Sequence, residues 1–272
     1  MEYKDQLGRT LKLDSTPRKI VCLVPSLSEL LVDLGLENTL VGVTKFCVHP
    51  EHLRAEKTVV GGTKTVHFDR IMDLKPEIIL CNKEENTQEI VSECDKIAPT
   101  HVSDLKNLED VYALIIQYGK LFDVLEKSQI LIENIKQKAL NFQGNLSNTV
   151  RLKTAYLIWK NPYMVAGNDT FIDFLLEING FTNIFAQKQS RYPEIEPQEL
   201  KEADLVLLSS EPFPFKQKHI DLLKAHTSAR IMLVDGEYFS WYGSRLLGAF
   251  AYFEKLQNLI KTDSSSKGLQ SH

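Results

Sequence analysis

His67-Phe68-Asp69-Arg70-Ile71-Met72-Asp73-Leu74-Lys75-Pro76-Glu77-Ile78-Ile79-Leu80 reads as a short helix leading into a buried strand. Glu194-Ile195-Glu196-Pro197-Gln198-Glu199-Leu200-Lys201-Glu202-Ala203-Asp204-Leu205-Val206-Leu207-Leu208 repeats the plan. In each stretch an acid opens the helix and a second acid, eight positions on, precedes an apolar run: Asp69 then Glu77, Glu196 then Asp204. Between them lies a segment rich in helix formers, Asn107 to Phe142. Two similar α/β halves joined by a helix imply a cleft between lobes, and clefts hold ligands. Acid-started helices before strands are also common in any α/β protein, so the echo alone leaves both readings open.

Working outward, Tyr3 to Leu13 alternates around Leu7-Gly8 as an edge hairpin, and Pro17 to Val24 leads into a first buried strand. A helix from Glu29 to Leu34 ends at Gly35, followed by a strand over Leu40 to Val43. Gly61-Gly62-Thr63 marks a turn, Phe68 to Leu74 a helix and Ile78 to Cys81 a strand. Glu85 to Ile97 is helical, and His101-Val102 is a short strand. Gly119 costs about 1 kcal/mol against Ala inside a helix, which predicts a break between Gly119 and Asp123. The second piece, from Asp123 to Phe142, spans ~30 Å at 1.5 Å per residue. Residues 143–148 are a linker by composition. Alternation then resumes with Leu152 to Trp159, a helix from Phe171 to Ile178 stopped by Asn179-Gly180, and a strand over Leu205 to Leu208. A helix from Lys218 to Ala225, a strand over Ile231 to Val234 and a closing helix from Arg245 to Ile260 follow. The resulting boundaries are an N-terminal α/β lobe over 1–106, a helical segment over 107–145, a C-terminal α/β lobe over 146–261 and a disordered polar tail over 262–272. Strand and helix alternate throughout, which implies mostly parallel sheets wrapped by helices.

The 272 residues carry a net charge of -4 and no basic stripe, so the composition argues against a nucleic-acid surface. No apolar run approaches the ~20 residues of a membrane span. The N-terminus shows neither a basic-then-apolar signal nor a lipid-attachment cysteine. The expected location is cytoplasmic if Met1 is native and periplasmic if a signal was removed. The four cysteines, Cys22, Cys47, Cys81 and Cys94, show no C-x-x-C spacing and read as reduced thiols.

Ligands of open α/β sheets bind beyond the carboxyl ends of the strands. Those segments are Pro25 to Ser28, Thr44 to Cys47, Asn82 to Glu85, Lys160 to Tyr163, Ser209 to Phe213 and Glu237 to Tyr242. Their mix of aromatics with a few charges suits a large, flat, partly apolar ligand. Tyr238 to Tyr242 holds four aromatics in five positions, too many to bury easily in one loop. Cys47-Val48-His49-Pro50-Glu51-His52 invites a metal reading through Cys47 and His49, but C-x-H-x-x-H is not a structural zinc spacing and a surface loop is the plainer account. Glu84, Glu85, Glu211 and Glu237 offer carboxylates for acid–base work, with nothing to set their separation. No P-loop, G-x-G-x-x-G or G-x-S-x-G is present.

Several motifs in order carry a family resemblance. Asp5-Gln6-Leu7-Gly8-Arg9-Thr10, Pro17-Arg18-Lys19-Ile20-Val21 and Pro25-Ser26-Leu27-Ser28-Glu29-Leu30 resemble the opening of the cobalamin and iron-siderophore substrate-binding proteins of ABC importers. Val41-Gly42-Val43-Thr44, Asp73 to Ile79 and Gly180-Phe181-Thr182-Asn183-Ile184-Phe185 extend the match over residues 3–260. The resemblance implies two Rossmann-like α/β lobes with mostly parallel sheets bridged by one long helix, the class III periplasmic-binding-protein type. It implies no catalysis and no intrinsic cofactor. The implied cargo is a large metal chelate held in the inter-lobe cleft: a corrinoid such as cobalamin first, a ferric siderophore or haem next.

On that reading Phe46, Tyr163, Tyr238, Trp241 and Tyr242 stack on the ligand, with Ser26, Trp159 and Glu211 beside it. Lys45, Lys83 and Arg191 meet its anionic groups. The resemblance also implies an ABC permease as partner, met by one acid on each lobe. Asp69 takes the first position. Counting from Asp204 gives Glu196 for the second, whereas placing Leu200 on the family's apolar position gives Gln198, with Glu199 beside it. The rival class is a metal-handling protein or enzyme that uses Cys47, His49 and the glutamates.

Overall fold

The computed structural model describes residues 1–146 and 151–268. The chain folds into two compact units, Met1–Ile135 with Tyr242–Arg245, and Lys136–Trp241 with Leu246–His272.

The first unit opens with the antiparallel hairpin β1 (Glu2–Lys4) and β2 (Thr10–Lys12), turning at Gly8 with φ +78°. Its main sheet holds β3 (Ile20–Cys22), β4 (Leu40–Val43), β5 (Thr58–Val59), β6 (Ile78–Asn82) and β7 (Thr100–Ser103) in the order β5-β4-β3-β6-β7, parallel throughout. Order reverses at β3, so the loops after β3 and its neighbours form the switch point where such sheets bind ligands. One face of the sheet packs Val21, Leu23, Ile79, Cys81 and Val102 against Ile71, Ile90 and Cys94. Each such aliphatic side chain contributes about 1.5–3 kcal/mol on burial.

Helices cover the sheet. The first, α1 (Pro25–Asp33), starts four residues before the predicted Glu29, because Pro25 fits a first helical turn that needs no N–H. After α2 (Leu53–Glu56), both α3 (Phe68–Leu74) and α4 (Gln88–Asp95) precede or follow β6. The hydroxyl of Thr87 caps α4 by accepting from the Ile90 N–H at 3.3 Å. Next come α5 (Leu108–Leu121), capped by Asn107, and α6 (Leu125–Asn145).

The predicted break falls at Phe122 to Val124, where Asp123 takes φ +58°. Gly119 itself stays helical. A Cβ there would lie 2.6 Å from Ser128 Oγ, so the glycine permits α6 to cross close over α5. Helix α5 belongs to the first unit instead of forming a separate segment: Tyr118 is fully buried, edge-on to His101 at 5.3 Å. The unit therefore runs on to Ile135, beyond the expected boundary at 106, and α6 continues into the second unit.

The second unit holds β8 (Lys153–Trp159), β9 (Tyr163–Val165), β10 (Thr182–Asn183), β11 (Glu194–Ile195), β12 (Leu205–Ser209) and β13 (Arg230–Val234). The order is β11-β9-β8-β12-β13, with β10 also on β8. β8, β12 and β13 are mutually parallel, whereas β9 and β11 are antiparallel additions. Helix α7 (Phe171–Ile178) is capped by Thr170 and ends at Gly180, φ +74°. It is followed by α8 (Gln217–Leu223), α9 (Glu237–Ser240) and α10 (Leu246–Gly268).

The second acid-led helix is a 3-10 helix, Pro197–Glu202. The expected linker is helical through Asn145, and Ser147 and Asn148 lie outside the described residues. The expected tail from Thr262 is helical as far as Gly268, with the Thr262 hydroxyl donating back to the carbonyls of Asn258 and Leu259. Its last residues, 269–272, lie outside the described residues. Among the described residues no helix is long and apolar enough to cross a membrane.

Candidate functional site

In the first unit, the loops after β3, β4 and β6 are held by side-chain hydrogen bonds. Asn82 Oδ1 accepts from the N–H groups of Glu84 and Glu85 at 2.8 and 3.2 Å. Asn86 accepts from the Asn82 N–H and donates to the Leu23 and Thr63 carbonyls, tying three loops together. The Lys45 N–H donates to the Gly61 carbonyl at 2.8 Å, and Thr44 Oγ1 accepts from the Phe46 N–H.

On this frame Phe46 is 48% exposed, with the Lys45 ammonium 5.0 Å from its ring centroid. Gly62 lies beneath both, since a Cβ there would stand 3.1 Å from the Phe46 ring and 3.3 Å from the Lys45 chain. Lys83 pairs with Asp104 at 2.8 Å. Burial raises the Glu85 carboxyl above the usual range, against the charge of Lys64 and a hydrogen bond with Thr63.

Ser26 and Tyr242 are brought together inside this unit, only 5% and 6% exposed. Burial drives the Tyr242 phenol far above its ordinary value, with a hydrogen bond from Ser26 opposing. Both expected ligand residues are thus buried within this unit.

In the second unit Trp159 is 39% exposed and packs edge-on against Phe213 at 5.7 Å. Phe213 in turn meets Phe215 at 4.8 Å and His219 at 5.3 Å. Tyr163 is half-buried, and burial raises its phenol pKa. Arg191 Nε donates to the Asp169 carbonyl at 2.6 Å. Glu211 accepts a hydrogen bond from the Ser240 hydroxyl, and Ser209 Oγ donates to the Glu211 carbonyl.

The aromatic loop is mostly internal. Tyr238 stacks on Tyr252 at 4.7 Å, Phe239 is fully buried against Tyr156 and Phe253, and Trp241 is 7% exposed. Trp241, expected at the ligand, is itself buried, while Tyr252 and Phe253 of α10 pack on Tyr238 and Phe239.

Cys47 and His49 join no group of metal-ligating side chains among the described residues. Cys47 is fully buried and donates to Ser28 Oγ at 3.3 Å, and burial raises its pKa. Among the described residues the one group of three donors within metal-binding reach is Glu37, His52 and Glu56, which includes neither residue.

Of the acids at the helix starts, Asp69 is exposed in the first turn of α3. Glu199 Oε1 accepts from the Glu196 N–H at 2.9 Å while Lys188 holds its other oxygen at 2.6 Å. Glu199 is therefore engaged locally, whereas Glu196 and Gln198 are exposed. Sequence reasoning missed the role of Gly62 and the ion pair of Glu29 with Arg245. Gly61-Gly62 signalled only a turn, and the pair spans 216 positions.

A family model described as periplasmic binding protein matches residues 20–225. The chain belongs to the periplasmic binding protein family. It is similar to a vitamin B12-binding protein of Pectobacterium carotovorum subsp. carotovorum, 21% identical over 257 residues and covering 92% of each chain. Among solved structures it resembles the periplasmic vitamin B12 binding protein BtuF of Vibrio cholerae, with TM-score 0.75 and 18% identity, over 89% of this chain and 98% of that one. It also resembles a periplasmic heme binding protein from Pseudomonas aeruginosa, with TM-score 0.74 and 21% identity, over 87% and 91%. The α/β fold of these structures accords with the parallel strands at the heart of each unit's sheet.

Proposed function

We infer that this family member binds a large metal chelate without transforming it and delivers it to an ABC permease outside the inner membrane. A corrinoid is the favoured cargo, with haem or a ferric siderophore next. The observation that carries the reading is one outward-facing aromatic at the strand ends of each unit, Phe46 and Trp159, each backed by a built platform. The nearby cations support a corrinoid over a multiply anionic siderophore. Lys83 is paired with Asp104 and Arg191 is engaged by Asp169, so neither meets an anion without giving up a partner. The similar proteins named for vitamin B12 and for heme support the same class. For the permease, Asp69 and Glu196 are the exposed acids that fit.

The test is titration of the purified protein with cyanocobalamin, haemin and a ferric hydroxamate, followed by calorimetry and absorbance. One cobalamin binds per chain and is recovered unchanged. Phe46→Ala and Trp159→Ala each lose about 1–2 kcal/mol, or roughly 5- to 30-fold in affinity. Failure of every chelate to bind at about 10 μM, where a specific site of −8 kcal/mol is populated, sinks the proposal. Asp69→Lys with Glu196→Lys keeps ligand affinity and abolishes transport.

A further inference from the structure

Three metal-ligating side chains converge on the first unit at a place the chelate reading does not use. Glu37 opens the short 3-10 turn Glu37–Thr39 ahead of β4. His52 and Glu56 stand one helical turn apart, at the cap and last residue of α2. One donor atom from each lies within 4.8 Å of the other two, and His52 Nε2 is 2.8 Å from Glu37 Oε1.

The backbone behind them is anchored. Leu53 is fully buried and its N–H donates to the Pro50 carbonyl at 3.1 Å, while Leu36 and Leu40 bury the turn on either side of Glu37. The side chains nevertheless reach solvent, with His52 45% and Glu37 33% exposed. An ion can enter without any rearrangement of the core.

We propose that Glu37, His52 and Glu56 form a surface site for a divalent transition metal of the zinc type. Imidazole nitrogen and carboxylate oxygen bind zinc at about 2.0–2.2 Å, which sets tetrahedral ligand atoms roughly 3.3 Å apart. Rotation of exposed side chains closes the trio to that spacing. Two carboxylates balance the charge of the ion, and the imidazole discriminates against calcium and magnesium, which take oxygen shells. A fourth position stays open to water. The ligands also bracket β4 and the loop that carries Lys45 and Phe46: Glu37 precedes that excursion and His52 follows it. A bound ion therefore clasps the base of the Phe46 loop.

Calorimetric titration of untagged, chelator-stripped protein with zinc chloride, and separately with magnesium chloride, tests this. One zinc binds per chain, magnesium does not, and zinc raises the thermal midpoint. His52→Ala and Glu56→Gln, both checked for folding by circular dichroism, each weaken zinc about tenfold or more, whereas His49→Ala leaves it unchanged. Absence of zinc binding, zinc affinity indifferent to both ligand variants, or magnesium binding as tightly as zinc overturns the proposal.

Discussion

Within the first unit, Arg245 grips Glu29 through two hydrogen bonds of 3.0 and 2.6 Å, with side chains only 12% and 16% exposed. Burial is the largest influence on Glu29 and raises its carboxyl pKa. The Arg245 hydrogen bonds and charge oppose it, Asp33 adds to the rise, and His49 opposes it weakly. A raised acid pKa means that the native state holds the proton more tightly than the unfolded chain. The contribution to stability is then full below the unfolded value, about 4.3, and declines as pH rises through the native value. Arg245→Met removes the main opposing influences and leaves a carboxylate buried without its partner. At pH 8 that costs about 3–5 kcal/mol. Near pH 4.5 Glu29 takes up a proton instead, and the loss shrinks toward the ~1 kcal/mol of an ordinary hydrogen bond. The double variant Glu29→Leu/Arg245→Met recovers most of the loss, because no charge is left stranded. Urea unfolding followed by circular dichroism at the two pH values measures this. Equal losses at pH 4.5 and 8, or a double variant as weak as the single one, refutes the reasoning.

Three further outcomes follow from the same structure. All four cysteines are buried and burial pushes the Cys22 thiol up to about 12, so native protein at pH 8 reacts slowly with a thiol reagent and fully only in denaturant; rapid labelling of Cys47 in the native state contradicts this. Gly62→Val drives a side chain into Phe46 and Lys45, so chelate affinity falls several-fold more than the thermal midpoint shift explains, as parallel titration and melting reveal. Phe142→Ala opens the contact of α6 with Phe250 and Phe253 and costs about 3–5 kcal/mol, measured by urea unfolding.

Much of the fold was legible because it rests on local periodicity. Phe68–Leu74, Phe171–Ile178 and Leu40–Val43 carry bounds that apolar spacing and a closing glycine or turn specify. Short pairings such as Glu194–Ile195 on Tyr163–Val165 depend on partners far along the chain and leave no periodic trace. The same limit governs the site. Phe46 and Trp159 follow from the rule that ligands meet strand ends, and both are exposed there. Trp241 and Tyr242 satisfy that rule equally, yet both are buried; Tyr242 lies beside Ser26 of its own unit, a neighbour so far along the chain that it leaves no local trace in the sequence.

The two acid-led stretches show how one plan supports unequal surfaces. In the first, Asp69 sits in an α-helical turn and its carboxylate is exposed. In the second, Pro197 starts a tighter 3-10 turn, and Glu199 caps it while pairing with Lys188. A carboxylate committed to a cap and a lysine is poorly placed to meet a partner's arginine, since it must break both contacts first. Glu196 stands exposed at the N-cap of that turn, and no lysine is paired with it among the ion pairs of the described residues. If docking depends on these tips, charge reversal at Glu196 lowers the association rate with the permease, whereas Glu199→Gln acts mainly through the stability of the turn. Stopped-flow association with reconstituted permease separates the two; a larger rate loss for Glu199→Gln than for Glu196→Lys defeats the assignment.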